Sequence, residues 1–302
     1  KHRLEAVLAV GGGSVIDSAK AIALGVPFAG DVWDFYTRKA TVKEMLPVGV
    51  VLTLPAAGSE SSNGSVVTNE EGWYKKDAGA GCMRPRFAIL DPLLTTTLPA
   101  WQTACGAADI MAHVMERYFT RVKAVDFTDR LCEAVLRTVV RNVPIALAAP
   151  DDYDARAEIM WAGTVAHNDL LSTGRVGDWA THQIEHEVSG IYDVAHGAGL
   201  AVLFPAWMTH VMHHDTGRFA QFAARVFDAE YDCASPERTA REGVRRLQAF
   251  WKGIGLPATL SELGVGADRL DEMARKATES GPRGNFVKLG QADVRAILEL
   301  AR

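Results

Sequence analysis

LEAVLAVGGGSVIDSAKAIA, residues 4–23, decides the reading of the fold. Leu4 to Val10 is an apolar run of strand length, and Gly11-Gly12-Gly13 ends it at once. Ser14 then precedes Val15 to Ala23, whose apolar spacing suits a helix with Ser14 near its N-cap. Glycines between a strand and a helix let the backbone approach a phosphate, and the helix N-terminus adds N–H donors and positive potential. The spacing is not G-x-G-x-x-G, so a tight strand-to-helix turn explains these glycines equally well.

Working outward, Pro47 to Leu54 (PVGVVLTL) is a β-branched run ending in Pro55-Ala56-Ala57-Gly58-Ser59, and Arg86 to Leu90 is a third run stopping at Asp91-Pro92. Strands without strict alternation, separated by helices, predict a parallel sheet buried on both faces. The segment TLPAAGSE (53–60) follows a strand of that sheet, and ligands gather outside the carboxyl ends of such strands. From Pro99 the texture turns helical. Helices are expected over 99–121, 126–148, 151–170, 178–190, 197–212, 216–228, 236–254, 268–279 and 291–301, with glycine or proline at most joints. This divides the chain into an α/β domain, 1–97, and a helical domain, 98–302.

Composition narrows the class. The 302 residues are 48% hydrophobic and 23% charged, as in ordinary globular domains rather than disordered chains. A net charge of -5 gives no electrostatic reason to bind nucleic acid. No apolar run reaches the roughly 20 residues that span a bilayer, and the apolar stretch behind Lys1-His2-Arg3 is no signal peptide. The four cysteines carry no C-x-x-C pair, which argues against a disulfide framework or a thiolate zinc site. The expectation is a soluble cytoplasmic protein without membrane partners.

A second set of residues carries chemistry. Asp109 and His113 stand at i and i+4, so one helical face presents a carboxylate with an imidazole. His182 and His186 repeat that spacing, and His196 follows where a loop can fold back. A divalent metal takes this mixture of oxygen and neutral nitrogen ligands. A single histidine in an apolar helix is more often a hydrogen-bonded core residue. Five buried titratable groups without partners would be costly, which favours the metal.

Together GGGSVIDSAKAIA (11–23), TLPAAGSE (53–60), AILDPLLTTTLP (88–99), GAADIMAHVMERY (106–118) and DWATHQIEHEVSGIYDVAHGAGLAVLFP (178–205) resemble the iron-containing (group III) alcohol dehydrogenases, in the butanol-dehydrogenase-like branch. The resemblance runs from Leu4 to Arg302. It implies a Rossmann-like α/β N-terminal domain, here incomplete, plus an all-α C-terminal domain, the dehydroquinate synthase-like architecture. It also implies a dinucleotide and a metal meeting in the cleft, and a homodimer. The metal ligands it implies are Asp109, His113, His182 and His196, holding Fe2+ or Zn2+, with His186 beside the metal as proton shuttle or ligand orienter. It gives the pyrophosphate of NAD or NADP to Gly12, Gly13 and Ser14, with Asp17 at the nicotinamide end and counted with His186 as catalytic, and Thr53, Ser62 and Lys75 along the cofactor. The reaction implied is hydride transfer between a primary alcohol or aldehyde and NAD(P), with Trp161, Phe119 and His167 as guesses for the substrate wall.

Two departures stand out. Ala57 occupies a position where many relatives have threonine, which removes a cofactor hydroxyl contact. Relatives also carry an α/β segment ahead of the position of Lys1, including the region that reads the adenosine ribose. That leaves NAD against NADP open and allows a catalytically impaired remnant or interaction subunit. A rival from another class is H-x-x-E-H, met by His182-Gln183-Ile184-Glu185-His186, in which both histidines bind zinc and Glu185 is the base of a peptidase. That reading leaves Asp109, His113, His196 and both glycine loops unexplained.

Overall fold

Strand β1 (Val7–Gly11) pairs in parallel with β2 (Val48–Leu52), which pairs in parallel with β5 (Phe87–Leu90), so β2 is central. These elements belong to a computed structural model that describes residues 4–302. Helix α1 (Gly13–Gly25) crosses one face of the sheet and packs Ile16, Ala19 and Ala23 against Ala9, Val48, Val50 and Leu52. Its N-cap is Gly12, in extended conformation, and no side chain caps it. Ser14 therefore lies inside the first turn and is not the cap. The Val15 and Ile16 amides donate to the Gly12 carbonyl, which leaves the Gly13 and Ser14 amides ahead of them without an intrahelical acceptor.

The expected burial on both faces does not hold. Leu8 and Val10 of β1 are 60% and 57% exposed, and Phe87 and Ile89 of β5 are 54% and 51% exposed. The strands do alternate, in burial rather than in polarity: Val7 and Ala9 turn toward α1 while Leu8 and Val10 turn away. Apolar residues on both faces hide that period of two in the sequence. On the outer face Phe87 lies across Gly49, where an added Cβ would meet its ring at 2.4 Å.

An antiparallel hairpin, β3 (Gly64–Asn69) and β4 (Tyr74–Gly79), was not anticipated, nor was the single turn α2 (Trp33–Tyr36). Tyr74-Lys75-Lys76-Asp77 has too many charges to read as a strand. The hairpin reaches the helical domain, where the buried Lys276 ammonium donates to the Gly72 and Trp73 carbonyls at 3.1 and 2.9 Å.

Nine further helices follow among the described residues: α3 (Ala100–Tyr118), α4 (Asp126–Ala148), α5 (Tyr153–His167), α6 (Ala180–Tyr192), α7 (His196–Val211), α8 (Thr216–Phe227), α9 (Pro236–Gly253), α10 (Leu270–Thr278) and α11 (Gln291–Leu300). Each lies within a few residues of its expected span. Helices α3 and α7 are buried almost all round, as a helix apolar on every side must be. A polar side chain on either one is therefore forced into the interior. None of the described helices is long and apolar enough to cross a membrane.

Candidate metal and cofactor site

Asp109, His113 and Glu116 occupy one face of α3, His182 and Glu185 come from α6, and His196 opens α7. The Nε2 atoms of His113, His182 and His196 lie 3.3, 3.8 and 3.9 Å from Asp109 Oδ1. Bonds of about 2.0–2.2 Å to one tetrahedral ion put ligand atoms roughly 3.3–3.6 Å apart, so His113 stands at a ligand's spacing from Asp109 while His182 and His196 stand a few tenths of an ångström further out. Asp109, His113 and His182 offer ligand atoms all within 4.8 Å of one another. Asp109 Oδ1 and His182 Nε2 are fully buried, and neither makes a hydrogen bond among the described residues. Leaving both orphaned costs kilocalories, and a cation between them removes that cost. The residues fit a divalent metal.

Each imidazole has a partner on its other nitrogen. His182 Nδ1 meets Glu116 Oε1 at 2.9 Å, and the same carboxylate accepts the His182 and Trp179 amides that open α6. His196 Nδ1 bonds to Glu185 Oε2, a carboxylate that is fully buried. His113 Nδ1 lies 2.7 Å from Nδ1 of His167. Such partners fix the tautomer that turns Nε2 toward a metal. Burial holds the His113 and His196 rings well below the usual imidazole range, in the neutral form a metal needs. Burial also opposes protonation of His182, but the Asp109 and Glu116 carboxylates lift it to about 9, so an incoming metal displaces a proton there.

The same cleft, about 1140 Å³, runs from Asp109, His113 and His182 to Gly12, Gly13, Ser14 and Asp17. The two glycine-bearing loops meet at its floor: a Cβ on Gly13 would lie 3.1 Å from that of Ala57. Beneath them the buried Lys20 ammonium donates to the Ser59 and Gly64 carbonyls, both at 2.7 Å, and to Ser62 O at 3.1 Å. Burial lowers it to about 8, against the pull of Asp17 and Glu60, so it remains a cation at pH 7. Both Asp17 oxygens are taken, by Ser59 Oγ at 2.5 Å and the Val66 amide at 3.0 Å. Asp17 thus ties α1 to the TLPAAGSE loop and to β3.

Other expected residues divide. Ser62 lines the cleft, with its hydroxyl near Lys20. Lys75 lines it too, but its ammonium donates to Ser189 Oγ at 2.9 Å and sits 3.9 Å from Glu185 Oε2. Thr53 is outside the wall, and its amide donates to the Gly11 carbonyl. His186 lines the cleft with its ring 5.6 Å from that of His196, and burial and Lys75 keep it neutral. Two substrate-wall guesses fail. Phe119 is sealed among Trp207, Phe219 and Phe222, and Trp161 is 61% exposed on the outside of α5. His167 does line the cleft, beside Trp179 and Trp101, which the sequence reading passed over.

Residues 103–302 match the C-terminal family model of the Fe-containing alcohol dehydrogenases, and residues 1–92 match the iron-containing alcohol dehydrogenase model. The chain belongs to the iron-containing alcohol dehydrogenase family. Within the family it is 45% identical over 299 residues to the probable NADH-dependent butanol dehydrogenase 1 of Bacillus subtilis, covering 99% of this chain and 77% of that one. It is 39% identical, with the same coverage, to NADH-dependent butanol dehydrogenase A of Clostridium acetobutylicum. The crystal structure of NADH-dependent butanol dehydrogenase A from Thermotoga maritima superposes with a TM-score of 0.95 at 36% identity, over 99% of this chain and 77% of that one. The architecture is accordingly the dehydroquinate synthase-like one of this family, with a small parallel sheet and a largely helical C-terminal domain.

Proposed function

We propose that the chain interconverts primary alcohols and aldehydes with NAD(P) as the hydride carrier and a divalent metal, iron(II) before zinc, held by Asp109, His113, His182 and His196. One observation carries this reading: three imidazole nitrogens converge on Asp109 Oδ1 in the cleft that also contains the Gly12-Gly13-Ser14 turn. When bound, the metal supplies a Lewis acid for the substrate oxygen and the dinucleotide supplies the hydride acceptor. Asp109 brings a single negative charge to the ligand set, which leaves that Lewis acid net positive. His186, an imidazole outside the proposed ligand set, lines the same cleft and is the group we assign to the alcohol proton. The peptidase reading loses its base, because the Glu185 carboxylate is fully buried and bonded to His196 Nδ1. Elemental analysis of purified protein, combined with oxidation of NADH and of NADPH on butyraldehyde, tests the proposal. One metal per chain with turnover of either cofactor is expected; a metal-free or inert protein overturns it.

The glycine turn gives a separate prediction. Gly13→Val places branched carbons where a Cβ already approaches Ala57 at 3.1 Å, and it shields the first-turn amides of α1. Dinucleotide affinity is expected to fall below detection in a fluorescence titration while metal content stays at one per chain. Unchanged affinity would reduce the loop to a turn.

A further inference from the structure

We propose that His167 is a positioning residue for the metal site, holding His113 in the ligating tautomer through a hydrogen bond between two neutral imidazoles; this rests on the metal reading above. The two Nδ1 atoms are 2.7 Å apart, with the rings edge-on at 86° and centroids separated by 4.1 Å. A neutral imidazole carries one N–H and one lone pair. With the His113 Nε2 lone pair turned to Asp109 and the metal, its proton sits on Nδ1 and is donated to His167 Nδ1. His167 must then accept there, so its own proton is on Nε2. One bond thereby sets two tautomers.

The choice of an imidazole follows from charge. His182 and His196 lean on carboxylates, Glu116 and Glu185, and Asp109 is itself an anion. A third outer carboxyl group would add to the three acids already in this buried cluster, where each uncompensated charge is expensive. A neutral ring gives the same orientation without it. His167 is also clamped in place. It ends α5, and Gly58, at φ +61°, lies so close that a Cβ there would be 2.6 Å from the His167 Cβ and 3.0 Å from the Gly163 carbonyl. The loop that bounds the cofactor side of the cleft therefore presses on the residue that orients a metal ligand.

The test uses metal-stripped parent, His167→Gln and His167→Leu, titrated with Co2+ against a chelator and read by the visible ligand-field spectrum. Leucine removes the acceptor, so affinity is expected to fall about 10–100-fold, as for other outer partners of ligating histidines, with a shifted spectrum. Glutamine offers Oε1 to the same N–H and is expected to return most of the affinity, with melting temperatures of the metal-free forms unchanged. Parent-like cobalt binding in the leucine variant, or equal losses in both variants, overturns the proposal. Should the leucine variant fail to fold, histidine 15N spectra of the Zn2+-loaded parent decide alone: protons on His113 Nδ1 and His167 Nε2 are expected, and the reverse assignment overturns it. A parent that takes up no metal at all refutes the metal reading itself, which is a different failure.

Discussion

His182→Ala is expected to strip the protein of stoichiometric metal and to abolish turnover, while Glu185→Gln keeps both. His182 Nε2, like Asp109 Oδ1 beside it, is fully buried and has no partner among the described residues, and Ala removes a ligand outright. Loss of an outer partner costs about 10–100-fold in metal affinity, and loss of a direct ligand is expected to exceed that range. Glutamine at 185 still offers Oε1 to His196 Nδ1, so its effect is expected to stay at or below about tenfold. The Glu116 carboxylate keeps the His182 and Trp179 amides in His182→Ala, so the start of α6 remains capped and the fold survives. Inductively coupled plasma metal content and aldehyde-dependent NAD(P)H oxidation, measured on both variants, check this. A His182→Ala protein that retains one metal per chain would contradict the ligand set. Activity lost only in Glu185→Gln, with metal retained, would restore Glu185 as a general base.

The parts of this site that were legible in the sequence are those within one element. Asp109 with His113, and His182 with His186, declare a shared helical face through their spacing of four. Glu116 continues the first face at i+7 from Asp109 and Glu185 lies at i+3 from His182, so both carboxylates were within reach of the same periodicity, though neither was singled out as an orienting partner. His167 was not reachable that way. It meets His113 across 54 positions of sequence, by the packing of α5 on α3, and no local pattern encodes that approach. The sheet was misread for a different reason. Leu8, Val10, Phe87 and Ile89 are as apolar as the residues facing α1, so hydrophobicity alone predicts burial on both faces, whereas among the described residues only the α1 face is covered. The helical spans were legible because glycine and proline punctuate them and because their apolar faces repeat over many turns.

Gly197→Ala is expected to weaken metal binding without altering any ligand side chain. Gly197 follows His196 in the first turn of α7, and a Cβ there would stand 1.9 Å from the carbonyl oxygen of Cys105. Cys105 lies one turn before Asp109 on α3. The bare glycine therefore lets α7 rest directly on α3, and that approach brings His196 Nε2 to 3.9 Å from Asp109 Oδ1. Non-bonded contacts begin near about 3.5 Å, so an alanine must push the two backbones apart by roughly 1.5 Å. Metal–ligand bonds tolerate deviations of about 0.2 Å, so His196 can no longer reach an ion held by the other three. Overpacking of this kind also costs about 1–3 kcal/mol of stability. His196→Ala serves as the reference. Both variants are expected to show the same loss of Co2+ affinity by chelator competition, but only Gly197→Ala should unfold at lower urea. Parent-like cobalt affinity in Gly197→Ala would mean that the α3–α7 contact has slack, and that the close approach of these helices does not set the position of His196.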